Sequence, residues 1–345
     1  MSSLIRSLAI GGLALAAVAC SKSPPQPVPS GEDVQLQAWR PFAADSPWNT
    51  PIPANAVVDA ESDALIADFA SEGALFINID QWSVPVYYID MAETPTRTVY
   101  DYYTGVYGRG FEWPRAIPIP DDMARLNPSA GYIAIVDKTR GLEWDLNQAN
   151  KNDDGIWMTG FGVVTSLRGS GVSEPWNEVE QANEAASALP SGFPLSAGLI
   201  RLDEIRTGRI PHALMLASPG IRSDVFVRPA STARLQYSGF APSETGLPLG
   251  ARLQLDPDFN IESSGLSPTG KIIARALQTY GAYVGDQAGA NVLFAEAGPE
   301  QLAEWKGLLK PDELASIFSP EMMARHFRVI DMGEALPAET VPAQP

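Results

Sequence analysis

The chain of 345 residues is poor in cysteine, histidine and basic side chains. With one cysteine it cannot form an internal disulfide, and with two histidines it has too few ligands for a zinc site of the usual His/Cys type. The 24 Lys and Arg residues are outnumbered by 41 Asp and Glu, and a formal net charge of −17 argues against nucleic acid as a partner. Phosphate-loop, dinucleotide and His-Glu-x-x-His motifs are also missing. We therefore expect no metal ion and no cofactor.

An apolar stretch at residues 8–17 follows Arg6, the order of a secretory signal, and is too short to span a bilayer. Residues 15–20, Leu-Ala-Ala-Val-Ala-Cys, resemble the lipobox of bacterial lipoproteins. The resemblance implies that residues 1–19 are removed, that Cys20 is lipidated, and that the lipid holds the protein in the cell envelope. Ser21 then favours the outer membrane in a Gram-negative cell. The alternative is an ordinary cleaved signal in which Cys20 is incidental.

Composition divides the remaining chain into three parts. Residues 20–34 are rich in proline, which predicts an extended tether, and residues 333–345 have the composition of a loose tail. Between them we expect a single globular domain over residues 35–332, with a β-rich body at 35–260 and an α/β cap at 261–332. The predicted class is α+β, β-rich: a β-sandwich-like sheet body with a C-terminal helix-hairpin-helix cap.

Periodicity and turn residues place the individual elements. A good N-cap, Ser267, precedes Pro268 and an apolar stripe, which predicts a helix ending before Gly281. A hairpin is expected to follow, with strands at 282–285 and 291–295. The other predicted strands are 75–79, 84–89, 97–103, 131–136, 141–146, 162–166, 213–217, 225–228, 251–255 and 327–330. The other predicted helices are 62–69, 178–189, 300–309 and 320–326.

His212 and Arg168 are candidates for charge and proton chemistry. His212 stands at the entry of an apolar strand, where a histidine can serve as a general base, or equally be a hydrogen-bonded core residue. Arg168 follows closely spaced glycines that let a ligand approach the backbone, and its guanidinium can pair with a carboxylate. A strand leading into a tight turn explains the same residues.

Glu143 and Asp145 alternate with Trp144 on a predicted strand, so the two carboxylates share one face. Paired carboxylates can divide acid and base roles because their charges push their pKa values apart. They can also be no more than the solvent face of an edge strand.

Aromatic residues are frequent in the β-rich part of the chain. Sugar rings stack on aromatic planes, and the mixture of aromatics with carboxylates, amides and arginines is common in saccharide clefts. The candidates for substrate binding are Trp48, Trp144, Trp157 and Tyr283. Core filling is the alternative for these rings.

Several stretches together resemble a family of secreted bacterial proteins of largely unassigned function. They are residues 45–49 (Asp-Ser-Pro-Trp-Asn), 131–137, 143–149, 194–201, 208–216 and 266–286. In this pattern many members carry a histidine where this chain has Tyr132, and keep one that matches His212. Tyrosine and histidine share acid and base roles in some polysaccharide lyases, which makes Tyr132 a further catalytic candidate.

These observations predict a cell-surface lipoprotein that acts on a polysaccharide or cell-envelope glycan. In a lyase, His212 or Tyr132 removes the proton α to a uronate carboxylate that Arg168 neutralises. In a glycoside hydrolase, the two strand carboxylates, or one of them with Asp45, act as acid and base or nucleophile. The alternative is a non-catalytic envelope lipoprotein that binds a glycan or a partner.

Overall fold

The structure is a computed structural model that describes residues 39–79, 83–101, 111, 115–123, 131–173, 187–235, 241, 243–310 and 312–338. Cys20, the tether, most of the predicted helix at 178–189 and the end of the tail lie outside these residues. No helix within the described residues is long and apolar enough to cross a membrane.

The described elements are short: nine strands follow the first helix without a helix between them, and most of the helices lie in the C-terminal part. The strands are β1 (Leu75–Asn78), β2 (Val86–Tyr88), β3 (Thr96–Asp101), β4 (Arg115–Pro118), β5 (Ile133–Asp137), β6 (Leu142–Asn147), β7 (Asn150–Lys151), β8 (Trp157–Thr159), β9 (Phe161–Ser166), β10 (Leu214–Ser218), β11 (Ile221–Phe226), β12 (Leu247–Leu249), β13 (Arg252–Leu255), β14 (Ala282–Gln287), β15 (Asn291–Phe294), β16 (Phe327–Val329) and β17 (Leu336–Pro337). The helices are α1 (Ser62–Ser71), α2 (Leu202–Thr207), α3 (Pro268–Thr279), α4 (Pro299–Leu308), α5 (Glu313–Ile317) and α6 (Pro320–His326). The predicted β-rich α+β class is confirmed.

A mixed six-stranded sheet forms the larger core, in the order β1-β15-β10-β14-β13-β16. Its central strands β10 and β14 run parallel and are buried along their whole length, as expected for strands covered on both faces. Helix α3 begins as predicted, because the Ser267 hydroxyl accepts a hydrogen bond from the Gly270 amide at 3.1 Å. Its apolar stripe, which includes Ile273 and Leu277, packs in the core of this sheet.

Two four-stranded sheets, β2-β5-β6-β9 and β4-β3-β8-β7, share a second core. Val99, Ile117 and Trp157 from one sheet meet Ile135 and Trp144 from the other. The chain turns from one sheet to the other at Gln148, which has a φ of +55°, and at Gly160, where the amide donates to the Asn147 carbonyl at 2.7 Å. One long hairpin therefore contributes strands to both sheets. A further sheet of three strands has the order β12-β11-β17.

The predicted hairpin between residues 282 and 295 is wrong in its pairing. Both strands exist, as β14 and β15, but β10 lies between them and pairs with each. The link at residues 288–290 is long enough to pass one intervening strand, a gap of about 10 Å between the outer strands. Within the described residues there is also no separate cap, because residues 282–294 supply two strands of the main sheet.

Candidate acid–base site

Three of the candidate residues lie on one face of the β2-β5-β6-β9 sheet. Asp145 pairs with Ala134 across β5 and β6, and Glu143 pairs with Val136. Tyr132 immediately precedes β5 and continues the alternation of Ala134 and Val136, so its side chain belongs to the same face. Ala134 and Val136 pack in the larger core, whereas Trp144 on the opposite face packs in the smaller one. The shared face predicted for the two carboxylates is confirmed.

Glu143 and Asp145 are both completely buried, so neither faces solvent. Strand β6 is also not an edge strand, because it lies between β5 and β9. Glu143 accepts from the Ser196 amide at 2.7 Å and from the Ser196 hydroxyl, while Asp145 accepts from the Leu195 amide at 3.2 Å. Burial raises the pKa of Asp145 well above its usual value, and the Glu143 charge raises it further. Burial also raises the pKa of Glu143, although the hydrogen bonds that it accepts from Asp145 and Ser196 lower it. Burial and the Glu143 charge both favour the protonated form of Asp145, whereas Glu143 has hydrogen bonds that favour its charged form.

The turn at residues 194–198 brings its amides to this pair. The Ala197 amide donates to the Pro194 carbonyl at 3.0 Å, and Gly198 has a φ of +69°. A Cβ on Gly198 would lie 2.5 Å from the Met215 backbone nitrogen, so only glycine allows the turn to approach β10 this closely. The turn is thereby fixed between β10 and the buried carboxylates.

The hydroxyl of Tyr132 donates to the Asp286 carboxylate, with 3.1 Å between Tyr132 Oη and Asp286 Oδ2. Asp286 lies near the carboxyl end of β14, opposite Ala217 of β10, where the pairing shifts register. The Gln287 amide donates to its other oxygen at 2.8 Å. Burial raises the pKa of Asp286 to about 7, although these two hydrogen bonds oppose the shift. Asp286 is buried, with 7% of its surface exposed, and Tyr132 is half-buried, so the tyrosine is the more accessible member of the pair.

Sequence reasoning missed Asp286 because it placed the residue in a hairpin turn. The available signal was its position at the end of the apolar run Ala-Tyr-Val-Gly, since functional side chains often follow buried strands that run parallel. A carboxylate with a perturbed pKa beside a hydroxyl at a strand end is a functional-site candidate on physical grounds.

His212 lies in a different place, at the start of β10. Its Nε2 is 2.8 Å from Glu204 Oε1 and its Nδ1 is 2.8 Å from the Ala213 carbonyl, and the residue is 2% exposed. Buried Arg201 pairs with the same carboxylate. Burial raises the pKa of Glu204, but the charges of Arg201 and His212 outweigh it and leave that pKa below its usual value. Both ring nitrogens are thus occupied, in the arrangement of a hydrogen-bonded core histidine.

The structure does not bring His212 or Arg168 to Tyr132. His212 lies five positions before Ala217, the neighbour of Asp286, a distance of roughly 17 Å along an extended chain. Arg168 is exposed and donates to the Thr139 carbonyl at 2.8 Å, in the hairpin turn at the far end of β5 from Tyr132.

The four aromatic rings expected to bind substrate lie in the two cores. Trp48, 1% exposed, has its ring centroid 5.1 Å from that of Tyr283, which is 5% exposed. Trp144 and Trp157 fill the smaller core. Sugar stacking needs an open ring face, and these side chains are too deeply buried to offer one.

A second polar cluster, centred on buried Glu296, joins β2 to α2. Glu296 accepts from the Tyr88 hydroxyl at 2.8 Å and from the Leu202 amide at 2.9 Å. The Lys138 ammonium lies 3.8 Å from the centre of the Tyr88 ring and 4.8 Å from that of Trp39. The cluster ties the β5–β6 turn to the start of α2.

Among the described residues, no group of three or more His, Cys, Asp or Glu side chains is placed to hold a metal ion. Comparison with protein-family models, with curated proteins and with solved structures returned no match. The chemistry of the residues themselves therefore carries the functional argument.

Proposed function

We propose that this protein is an enzyme of the cell envelope that cleaves an acidic polysaccharide by acid–base chemistry at Tyr132 and Asp286. The observation that carries the proposal is the 3.1 Å hydrogen bond between the Tyr132 hydroxyl and a carboxylate whose pKa is raised to about 7. A group that titrates near neutral pH is suited to take up and release a proton there.

The pair supports β-elimination in a cycle that conserves its proton. The Asp286 carboxylate takes the proton α to the uronate carboxylate. The bond from the β carbon to the glycosidic oxygen then breaks, and the Tyr132 hydroxyl protonates the leaving oxygen. Asp286 returns its proton to the tyrosinate, which restores both side chains. The products are a new non-reducing end with a carbon–carbon double bond and a new hydroxyl on the leaving sugar.

Lyase chemistry is favoured over hydrolysis by the state of Glu143 and Asp145. A glycoside hydrolase needs two carboxyl groups that reach opposite sides of the scissile bond. These two are completely buried and their oxygens receive hydrogen bonds from the turn at 194–198. In the proposal they position that turn, and Arg168, His212 and the four core aromatics have no contact with substrate.

The test is a panel of uronate-containing and neutral polysaccharides offered to the purified chain. Cleavage is followed by absorbance of the unsaturated uronate product and, in parallel, by reducing ends. Asp286→Asn and Tyr132→Phe are each expected to lower turnover by about 10²- to 10⁴-fold. Arg168→Ala is the matched control, and its turnover should be unchanged.

Other outcomes of the panel would overturn the proposal. Reducing ends without the absorbance would indicate hydrolysis, and affinity without cleavage would indicate the non-catalytic binding lipoprotein. Turnover that survives in Asp286→Asn would place the chemistry elsewhere.

The envelope location is proposed on the lipobox-like sequence before Cys20. Cys20→Ser is expected to move the protein from the membrane fraction to the soluble fraction and to abolish labelling with a fatty acid. Unchanged fractionation would contradict lipid anchoring.

The architecture proposed for the body is β-sandwich-like. Its support is the apolar core that the two four-stranded sheets enclose, from Val99 and Ile117 on one side to Ile135 and Trp144 on the other.

A further inference from the structure

An open cavity of about 490 Å³ lies between the segment after β13 and helices α5 and α6. This volume falls in the range of small-molecule sites. Because β13 runs antiparallel to β14, the residues that follow Leu255 lie beyond Ala282. The cavity is therefore at the opposite end of β14 from Asp286 and is separate from the acid–base site.

One wall of the cavity is apolar. Phe259 and Met322 line it, and the Phe259 ring is held by an edge contact with His326, with centroids 5.1 Å apart at 62°. Phe259 also packs against Phe318 of the core, with centroids 6.1 Å apart. The aromatic wall is thus supported from behind.

Apart from Ile317, the rest of the lining is polar, and it carries no lysine or arginine. Asp258, Asn260 and Ser316 contribute a carboxylate, an amide and a hydroxyl. The Ser316 hydroxyl donates to the Glu313 carbonyl at 2.7 Å, so its oxygen remains an acceptor towards the cavity. His326 also lines the cavity, and none of the described residues makes a hydrogen bond to its ring nitrogens. A lining that has a carboxylate and no lysine or arginine disfavours an anionic ligand.

We infer that this cavity binds a neutral sugar unit, with its apolar face on Phe259 and its hydroxyls on His326, Asp258 and Asn260. An apolar wall opposite several acceptors and an imidazole is the combination that a polyhydroxylated ring satisfies. The choice of a sugar over other polyols rests on the proposed function. The site is a second glycan contact, distinct from the place where the chain is cut.

The two histidines make a direct test possible. The full chain in detergent is titrated with cellohexaose, maltohexaose and xylohexaose, and with a hexauronate for comparison, while the imidazole resonances are followed by NMR. His326→Gln assigns the two signals. At least one neutral oligosaccharide should shift the His326 signals, and the buried His212 signals should stay in place.

Affinity measured by calorimetry supplies the second readout. Phe259→Ala and His326→Gln should each weaken binding of that oligosaccharide by about three- to tenfold, the size of a single aromatic or hydrogen-bond contact. Arg325→Ala is the control, because Arg325 is exposed on the same helix and does not line the cavity. Its affinity should equal that of the wild type.

Two results would overturn the inference. One is the absence of any shift of the His326 signals with all the neutral oligosaccharides. The other is binding that both variants retain in full, which would place the ligand elsewhere. Asp286→Asn separates this inference from the proposed function, since it should abolish cleavage while leaving the affinity at the cavity unchanged. If the wild-type protein binds an oligosaccharide at the cavity but cleaves no glycan, the proposed function is wrong and the inference about the cavity stands.

Discussion

Tyr132 and Asp286 meet at 3.1 Å although 154 residues separate them in the chain. The first precedes a strand of a four-stranded sheet, and the second lies near the end of a central strand of the six-stranded sheet. Their hydrogen bond therefore joins two different sheets. It also places a tyrosine hydroxyl on a carboxylate whose pKa lies near 7.

Stability should fall as the pH rises from about 4 to 7. The pKa of Asp286 is about 7 in the native state and near 4 in the unfolded state, so between these values the native state binds more protons. The full effect is roughly 4 kcal/mol and is complete above pH 7, since each pKa unit corresponds to about 1.4 kcal/mol. Glu143 and Asp145, whose pKa values are also raised, act in the same direction.

Urea unfolding at pH 5 and pH 8 measures this dependence. Asp286→Asn should lose much of the pH dependence and be the more stable protein at pH 8. Carboxylates with a lowered pKa, such as Glu204 and Asp224, lose their stabilisation only at lower pH, outside this window. If the free energy of unfolding of Asp286→Asn keeps the full wild-type pH dependence, the fold does not raise the pKa of Asp286.

Tyr132→Phe should raise the pKa of Asp286 above its present value of about 7, because the hydroxyl stabilises the charged carboxylate. The lost hydrogen bond should lower the free energy of unfolding by about 1 kcal/mol. Carbon-13 NMR of the aspartate carboxyl, identified by its loss in Asp286→Asn, follows the titration directly. Tyr283→Phe is the control, since its hydroxyl contacts the Pro47 carbonyl at 3.4 Å instead. An equal change in the pKa of Asp286 in both variants would show that the Tyr132 hydroxyl is not its cause.

Asp145→Asn should be tolerated and Glu143→Gln should not. A protonated Asp145 resembles asparagine. One carboxyl oxygen accepts from the Leu195 amide, and the protonated oxygen can donate to Glu143 as an asparagine NH₂ group would. Glu143 accepts twice from Ser196, and glutamine would set an NH₂ group against one of these donors. We expect a loss within about 1 kcal/mol for the first variant and about 2–3 kcal/mol for the second. Urea unfolding at pH 7 compares them, and the reverse order would mean that Glu143 holds the proton.

Glu204→Gln should destabilise the protein by about 3–5 kcal/mol, because it leaves the buried charge of Arg201 without its carboxylate and weakens the contact with His212. The matched control is Glu304→Gln, which breaks the solvent-exposed pair with Arg206. That change should cost less than about 1 kcal/mol. Thermal unfolding of both variants provides the comparison. Similar losses would mean that the Glu204 network adds little to stability.

Local sequence patterns were sufficient to predict features that lie within a single helix or a single strand. The Ser267 cap and the start of α3 follow from hydrogen bonding within one turn, and the common face of Glu143 and Asp145 follows from the two-residue period of a strand. Neither pattern tells which side of the sheet is buried. The same alternation predicted a solvent face as readily as the buried pair that the structure contains.

The sequence by itself determined the β-rich α+β class, most strand positions and the shortage of metal ligands, because these depend on composition and short-range periodicity. Only the tertiary structure decided that β10 separates β14 from β15, that the candidate aromatics fill two cores, and that Tyr132 meets Asp286 rather than His212. These outcomes depend on which distant strands pair. That pairing is set by burial of whole faces against one another, and no local run of residues encodes it.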